Sequence, residues 1–385
     1  MSETDYKVPL TNILDISPHN NADSLEVATV YGFQVIVKKG QYRAGDAVVY
    51  IPIDSILPQW LEDRLFPYTK NADGQMVPPK VKLNNHRVRQ IRLRKLASQG
   101  MLINTVDIMD KVNFKKARAE DNLAEILGVT KYEPPIAGPS STQGKDKQRN
   151  KSYEHPLFHK YNGLDNIKWF PTLFKEGEMV VIQEKLHGTN ARASLLPYQT
   201  NTLFRKLVKF LGLAPKAEKC YGSNNVQKSA GRNNAHFYSE DVWGSTFKAI
   251  NVFDKLKLGE TVYGEIIGPG IQANYDYGLK EHKFVLFDVK VLGEDGKQTW
   301  FSPTQVADFA RERGFDMVPG LYVGPYSREI AYGLTTGPSV YCPKQKVREG
   351  IVIKAMEGYS VEGNKKALKW VSEDYLDDKT NTDNH

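Results

Sequence analysis

Over residues 134–153 the chain loses every apolar rhythm. The stretch holds Pro-Pro, Gly-Pro and Ser-Ser pairs and then a run of Lys, Asp, Gln, Arg and Asn. Such a composition buries too little apolar surface to offset the entropy of ordering it. It therefore splits the 385 residues into two units, each long enough to bury a core of its own. The expected division is 1–133, a flexible polar linker over 134–160, and 161–385.

The first unit reads as all-β. Short apolar runs at 25–30, 32–37 and 47–51 alternate with turn signals at Asn20-Asn21-Ala22-Asp23 and Lys39-Gly40. Strands of this length with glycine turns fit a small barrel, not a helical bundle. Over 114–127 Ala and Leu recur three and four apart, which predicts a helix. The second unit mixes strands at 179–184, 192–196, 261–266, 284–289 and 350–354 with helices at 203–211 and 303–313. Ser302 followed by Pro303 is a helix start, a capping hydroxyl before a residue pre-set for the first turn. The expected class is α+β, with residues from Asp377 onward frayed.

No run of eighteen apolar residues occurs, so no membrane span and no membrane partner are expected. The first residues lack the order of a secretion signal. Cys220 and Cys342 stand far apart, without metal-ligand spacing. That speaks against a disulfide framework or zinc site and for a reducing, cytoplasmic compartment. The net charge of +7, with a pI near 9.0, suits a polyanionic partner. Many soluble proteins are mildly basic, so charge alone does not single out nucleic acid.

Chemistry concentrates around Gln183-Glu184-Lys185-Leu186-His187-Gly188-Thr189-Asn190. Lys185 ends one apolar strand and a glycine-containing turn leads into the next. A lysine there becomes a nucleophile if nearby cations disfavour its charged form. Taken alone it is a solvated lysine in a turn. Its company changes that reading. Tyr263-Gly264-Glu265 leads into Gly268-Pro269-Gly270-Ile271-Gln272, and Glu349-Gly350-Ile351-Val352-Ile353-Lys354 brackets a short strand with a carboxylate and a lysine. Lys369 adds a further cation. A nucleophile, two carboxylates and several cations on strand ends are what phosphoryl transfer requires.

In this order and spacing, residues 165–375 resemble the covalent nucleotidyltransferase superfamily, and within it the nick-sealing and RNA-editing type of ATP-dependent RNA ligase. E-K-x-H-G-T-N and G-E-x-x-G-P-G-I-Q carry the likeness; DNA ligases and capping enzymes usually have Asp at the place of His187. The resemblance implies an α+β nucleotidyltransferase (ATP-grasp-like ligase) domain binding ATP between its sheets. Lys185 would form lysyl-AMP. Glu184 would read the adenine amino group and Phe287 would stack on the base. His187, Gly188 and Asn190 would hold the nucleotide, His187 in an orienting role. Glu265 and Glu349 would serve the ribose and a Mg²⁺ or Mn²⁺ ion held largely through water. Lys354 and Lys369 would neutralise the α-phosphate and the leaving pyrophosphate. Two departures stand out. The family's Ser-Arg is here Gly222-Ser223-Asn224-Asn225, with Arg232 a possible substitute. Its Lys-x-Lys reduces to Lys369, with Lys366 the nearest spare lysine.

The segment Pro18–Val27 resembles the start of an OB-type barrel of the tRNA-binding kind, which makes the whole an all-β OB-like barrel followed by the α+β domain. Arg87, Arg89, Arg92 and Arg94 are read as one basic strand tracking RNA, with a bulge after Gln90 to align them. An aggregation-blocking edge strand is the bland alternative. An OB-like domain ahead of the catalytic one resembles a particular RNA-ligase branch. The expected protein is a monomeric ligase of broken or nicked RNA. The alternatives are a DNA ligase, a capping guanylyltransferase, or a non-catalytic RNA-binding protein on a ligase fold.

Overall fold

The computed structural model describes residues 6–71, 73–79, 82–132, 154–200, 202–224, 226–228, 241–272, 275, 277–361 and 364–377. Most of the expected linker, the possible substitute Arg232 and the expected frayed tail beyond 377 lie outside them. The final part of the linker stretch packs: His155 and Phe158 are buried, and Phe158 joins Leu196 and Cys220 against the C-terminal unit.

The N-terminal unit is built from antiparallel strands. Leu10–Asn12, Ala47–Ile51 and Met101–Asn104 form one sheet, and Asp15–Pro18, Leu25–Val30 and Phe33–Lys38 form a meander beside it. The strand Ala47–Ile51 serves two cores because alternate side chains leave opposite faces. Val48 and Tyr50 pack with Val30, Phe33 and Val35 of the meander. Val49 and Ile51 pack with Leu61 and Leu127.

Two expectations for this unit are corrected. The helix over 114–127 shrinks to Ala124–Leu127. Its earlier part bonds elsewhere: Leu10 N–H reaches Asp121 O at 3.0 Å and Leu123 N–H reaches Val8 O at 2.9 Å. The side chains of Asn113 and Asn122 also accept backbone N–H groups two residues on, competing with helix formation. The basic strand becomes a hairpin, Ile91–Leu93 pairing with Leu96–Ser98. Arg94 and Lys95 form its tip at positive φ, and Arg87 follows a short 3₁₀ turn over Asn84–His86.

The C-terminal unit holds two antiparallel sheets. The six-stranded one runs Gln227–Lys228, Ala217–Gly222, Thr189–Pro197, Glu260–Ile267, Lys283–Leu292, Gln298–Trp300. The four-stranded one runs Gly320–Pro325, Met179–Lys185, Gly350–Ala355, Ala367–Val371. Period-two alternation sorts each into an oily and a chemical face. Val180, Ile182, Ile351, Ile353, Leu368 and Trp370 form a core behind the four-stranded sheet. Ala191, Ala193, Val262 and Ile266 pack behind the six-stranded sheet, against helices Val242–Ala249 and Pro303–Arg313. The second helix has the expected start, with a capping box between Ser302 and Gln305. The remaining faces turn toward each other, and the site lies between them.

Residues 166–169 touch both units. Ile167 N–H bonds Lys369 O at 2.9 Å, and Gly32 N–H bonds Lys168 O at 2.8 Å. A Cβ on Gly32 would come within 3.0 Å of the Lys168 backbone, so that close approach requires glycine. Trp169 sits among Tyr31, Phe33 and Tyr50, with ring centres 4.9–5.6 Å away.

Candidate active site

Lys185 is the last residue of its strand, opposite Gly350 in the neighbouring strand. That register brings Glu349 beside it, and Lys185 Nζ donates to Glu349 Oε1 at 2.5 Å. Glu349 Oε2 is buried without a hydrogen-bond partner and stands 3.7 Å from His187 Nδ1. His187 is boxed in by rings. Tyr275 meets it edge-on at 4.9 Å, and the Tyr375 hydroxyl lies 3.3 Å from both ring nitrogens. Its backbone N–H donates to Tyr277 Oη at 2.7 Å.

The chain crosses to the second sheet within three residues. Gly188 makes the crossing possible: a Cβ there would lie 2.4 Å from Ile266 O and 2.8 Å from Glu265 Cγ. Just beyond it, Asn190 pairs in register with Glu265. Burial pushes the Glu265 carboxyl up to about 8; nearby Lys185 opposes the rise and Glu349 adds to it.

Lys185, Asn190 and Glu265 line a cavity of about 280 Å³ between the sheets, together with Glu184, Phe287, Lys354 and Lys369, while Glu349 borders the larger cleft next to it. Glu184 Oε2 accepts the backbone N–H groups of Val340 and Tyr341 at 2.7 and 3.2 Å. Its Oε1, with Gln183 Oε1 and Asn190 Oδ1, is buried with no hydrogen-bond partner. Unmet buried acceptors are costly, and three beside one cavity suit a ligand that brings donors.

The cations divide by strand parity. Lys369 faces the cavity, and burial and then the charge of Lys185 hold its pKa below the ordinary lysine value. Lys354 Nζ bonds Phe287 O at 2.6 Å and Asp288 Oδ1 at 3.0 Å. Lys366, expected to share the site with Lys369, stands on the opposite face and pairs with Glu178 at 2.6 Å. Lys365 takes the inward face instead. Its Nζ sits 3.1 Å from the Tyr161 ring centre, 4.2 Å from that of Trp300 and 3.7 Å from Asp288. Burial alone would raise the Asp288 carboxyl; Lys354, Lys365 and the Tyr161 hydroxyl outweigh it and hold the pKa below the usual value. The lysine had a readable signal, since it shares parity with Lys369. Tyr161, Asp288 and Tyr375 carried none.

The four arginines do not converge. Arg87 is buried, bonded to Asp54 at 2.6 Å with its guanidinium 3.6 Å from the centre of the Tyr132 ring. Arg89 is half-buried. Arg92 pairs with Asp377 and reaches Asp374 at 3.7 Å. Arg94 is exposed at the hairpin tip. Arg87 instead borders a second cavity of about 650 Å³ between the two units, with Lys131, Lys365 and Lys369. This cleft meets the smaller cavity at Gly163, Leu164 and Lys369.

A lysine, two carboxylates and further cations around a cavity between two antiparallel sheets define a site for nucleotidyl chemistry. The RNA ligase family matches residues 178–371, just over half of the chain, and the chain belongs to that family. An OB-fold domain matches residues 8–105. The chain is similar to the solved Naegleria gruberi RNA ligase with PPi, at 21% identity and a TM-score of 0.68, covering 96% of this chain and 98% of that one. A lysine-to-alanine mutant of that ligase with ATP and Mn gives 20% identity and a TM-score of 0.69, covering 98% of both chains. A further mutant with AMP and Mn gives 21% and 0.69, covering 96% of this chain and 98% of that one. At this identity the likeness establishes the fold: an OB-fold domain followed by an α+β ligase domain.

Proposed function

We propose that this protein is an ATP-dependent RNA ligase that joins 5′-phosphate and 3′-hydroxyl ends through a Lys185–AMP intermediate. The observation that carries the reading is Lys185 at the wall of the cavity between the sheets, its Nζ ion-paired to Glu349 with Glu265 and Lys369 beside it. In the first step the lysine amine, having lost its proton, attacks the α-phosphorus; a P–N bond forms and pyrophosphate leaves. A 5′-phosphate oxygen then takes the AMP and frees the lysine. Finally the 3′-hydroxyl attacks that activated phosphorus and AMP departs.

The roles follow from position. The free acceptors of Glu184 and Gln183 suit the adenine amino group, and Phe287 flanks the base. Asn190 lines the sugar and phosphate side, and Gly188 shapes the turn that leads to it. Lys369 and Lys354 supply positive charge for phosphate oxygens that gain charge as the P–O bond breaks. His187, fixed among tyrosines, orients its neighbours.

The open oxygen of Glu349 and the carboxyl of Glu265 fit a divalent cation. No group of three His, Cys, Asp or Glu side chains suited to a metal occurs among the described residues, so substrate phosphates and water would complete its shell, as suits Mg²⁺ or Mn²⁺. When bound, such an ion supplies positive charge to the phosphates. In this reading residues 1–133 are the RNA-binding OB domain, 161–385 the adenylyltransferase, and the intervening 134–160 the connection.

The test is incubation with ATP labelled at the α-phosphate and Mg²⁺ or Mn²⁺. Label that survives denaturation in wild type and is absent from Lys185→Ala is the expected result. Wild type that takes no label, after pyrophosphate treatment to clear any bound AMP, would overturn the proposal.

A further inference from the structure

The C-terminal helix Glu373–Asp377 has two attachments. On one side its Tyr375, buried at 2% exposure, puts its hydroxyl against His187, which in turn faces the open oxygen of Glu349. On the other side its acids meet the N-terminal unit. Gln90 Nε2 donates to Asp377 Oδ1 at 2.9 Å and to Glu373 O at 3.2 Å, and Arg92 pairs with Asp377. Gln90 is itself held by Gln99 at 2.7 Å, and Gln99 accepts from Lys168 Nζ at 2.5 Å. Lys168 closes the ring through Glu373 at 3.5 Å.

Hydrogen bonds from Gln90 and Arg92 thus fix the short helix at both ends, and the helix itself carries Tyr375 to His187. Tyr375 also meets the Tyr275 ring, 5.9 Å away, and both rings flank His187, so its position limits how far His187 can turn. Rings packed on two sides restrict a histidine more than any one hydrogen bond does.

We infer that Tyr375 is a positioning residue for Lys185, acting through His187 and Glu349, and that Arg92 and Gln90 of the N-terminal domain hold it in place. The inference rests on the lysyl-AMP reading above. It gives Arg92 a different partner from the one its charge suggests, an acidic helix of the same chain in place of RNA. Formation of lysyl-AMP requires no RNA, so an assay without RNA separates the two roles.

The experiment measures single-turnover uptake of α-labelled ATP, without RNA, across ATP concentrations. Tyr375→Phe keeps the ring and removes only the hydroxyl. It should slow uptake at saturating ATP about tenfold, the scale of one lost hydrogen bond at a reacting group, with the ATP concentration for half-maximal rate within about twofold of wild type. Arg92→Asp sets like charges against Asp374 and Asp377 and should slow uptake similarly. Adding Asp377→Arg to Arg92→Asp restores an opposite pair and should recover most of the rate. Uptake by Tyr375→Phe as fast as wild type would overturn the inference, as would a change confined to the half-maximal ATP concentration. So would an Arg92→Asp defect that the second substitution leaves untouched. If wild type takes no label, the ligase reading fails instead, and the two failures are told apart by that control.

Discussion

Arg87 and Lys354 are both buried cations paired to an aspartate, one in each unit, yet they are built differently. Arg87 meets Asp54, whose side chain is 45% exposed, and rests on the Tyr132 ring. Lys354 meets Asp288, which is 1% exposed and also takes the hydroxyls of Tyr161 and Tyr359. The first arrangement ties a loop to a barrel, and water still shares the carboxylate. The second is sealed, holds two lysines around one carboxylate, and stands at the wall of the cavity between the sheets. Sealed charge keeps its strength because little water screens it, and it is costly to disturb. The solvent-shared pair of the N-terminal unit and the sealed pair of the C-terminal unit should therefore respond to mutation to different degrees.

The largest expected effect tests the chemical side. Lys185→Ala should abolish label uptake while moving the Tm by no more than a few degrees, because its side chain keeps 28% exposure and water can reach the partner it leaves. A large loss of Tm would make Lys185 structural and blur the contrast. Next comes the pair of aspartates. Asp288→Ala leaves two lysines buried without their carboxylate and should cost about 3–5 kcal/mol in denaturant unfolding. Asp54→Ala should cost about 1 kcal/mol, because its carboxylate is solvent-shared. Equal costs would erase the distinction.

A smaller effect concerns Glu265. Its carboxyl is raised to about 8 in the folded protein, against about 4.3 in an unfolded chain. Between those values the folded state binds the extra proton, so stability falls as pH rises through that window. In metal-free buffer with EDTA, the Tm of Glu265→Gln minus that of wild type should grow from pH 5 to pH 8. A difference that stays flat would show that the carboxyl ionises normally. The smallest effect is at the hairpin tip. Arg94→Ala should weaken RNA binding a few-fold and lower its salt dependence by about one unit of slope, without touching label uptake. An unchanged salt slope would remove the last of the four arginines from the RNA track.

Much of the local structure of the C-terminal unit was legible because its signals are local. The strand Met179–Lys185, the capping box at Ser302 and the lysine, histidine and glycine of the turn all announce themselves within a few residues. The failures have long-range causes. Over 114–127 the spacing of Ala and Leu suits a helix, but pairing of Asp121 and Leu123 with Leu10 and Val8 competes for the same backbone groups. Lys366 was nearer the motif, yet parity gave the inward place to Lys365. Arg92 reads as an RNA contact until the acids of a helix some 280 residues later come to meet it. Tyr375 had no motif around it at all.

The strand of Lys185 belongs to one sheet and the strand that starts at Thr189 to the other, with Gly188 pressed against Ile266 at the crossing. Lys185 and Glu349 therefore ride on the same sheet, and their spacing is insensitive to how the sheets lean. Glu265 rides on the other. A change in the angle between the sheets moves it toward or away from the lysine while leaving the Glu349 pair intact. Any such change would act through the glycine turn that joins the sheets, and would shift one carboxylate independently of the other.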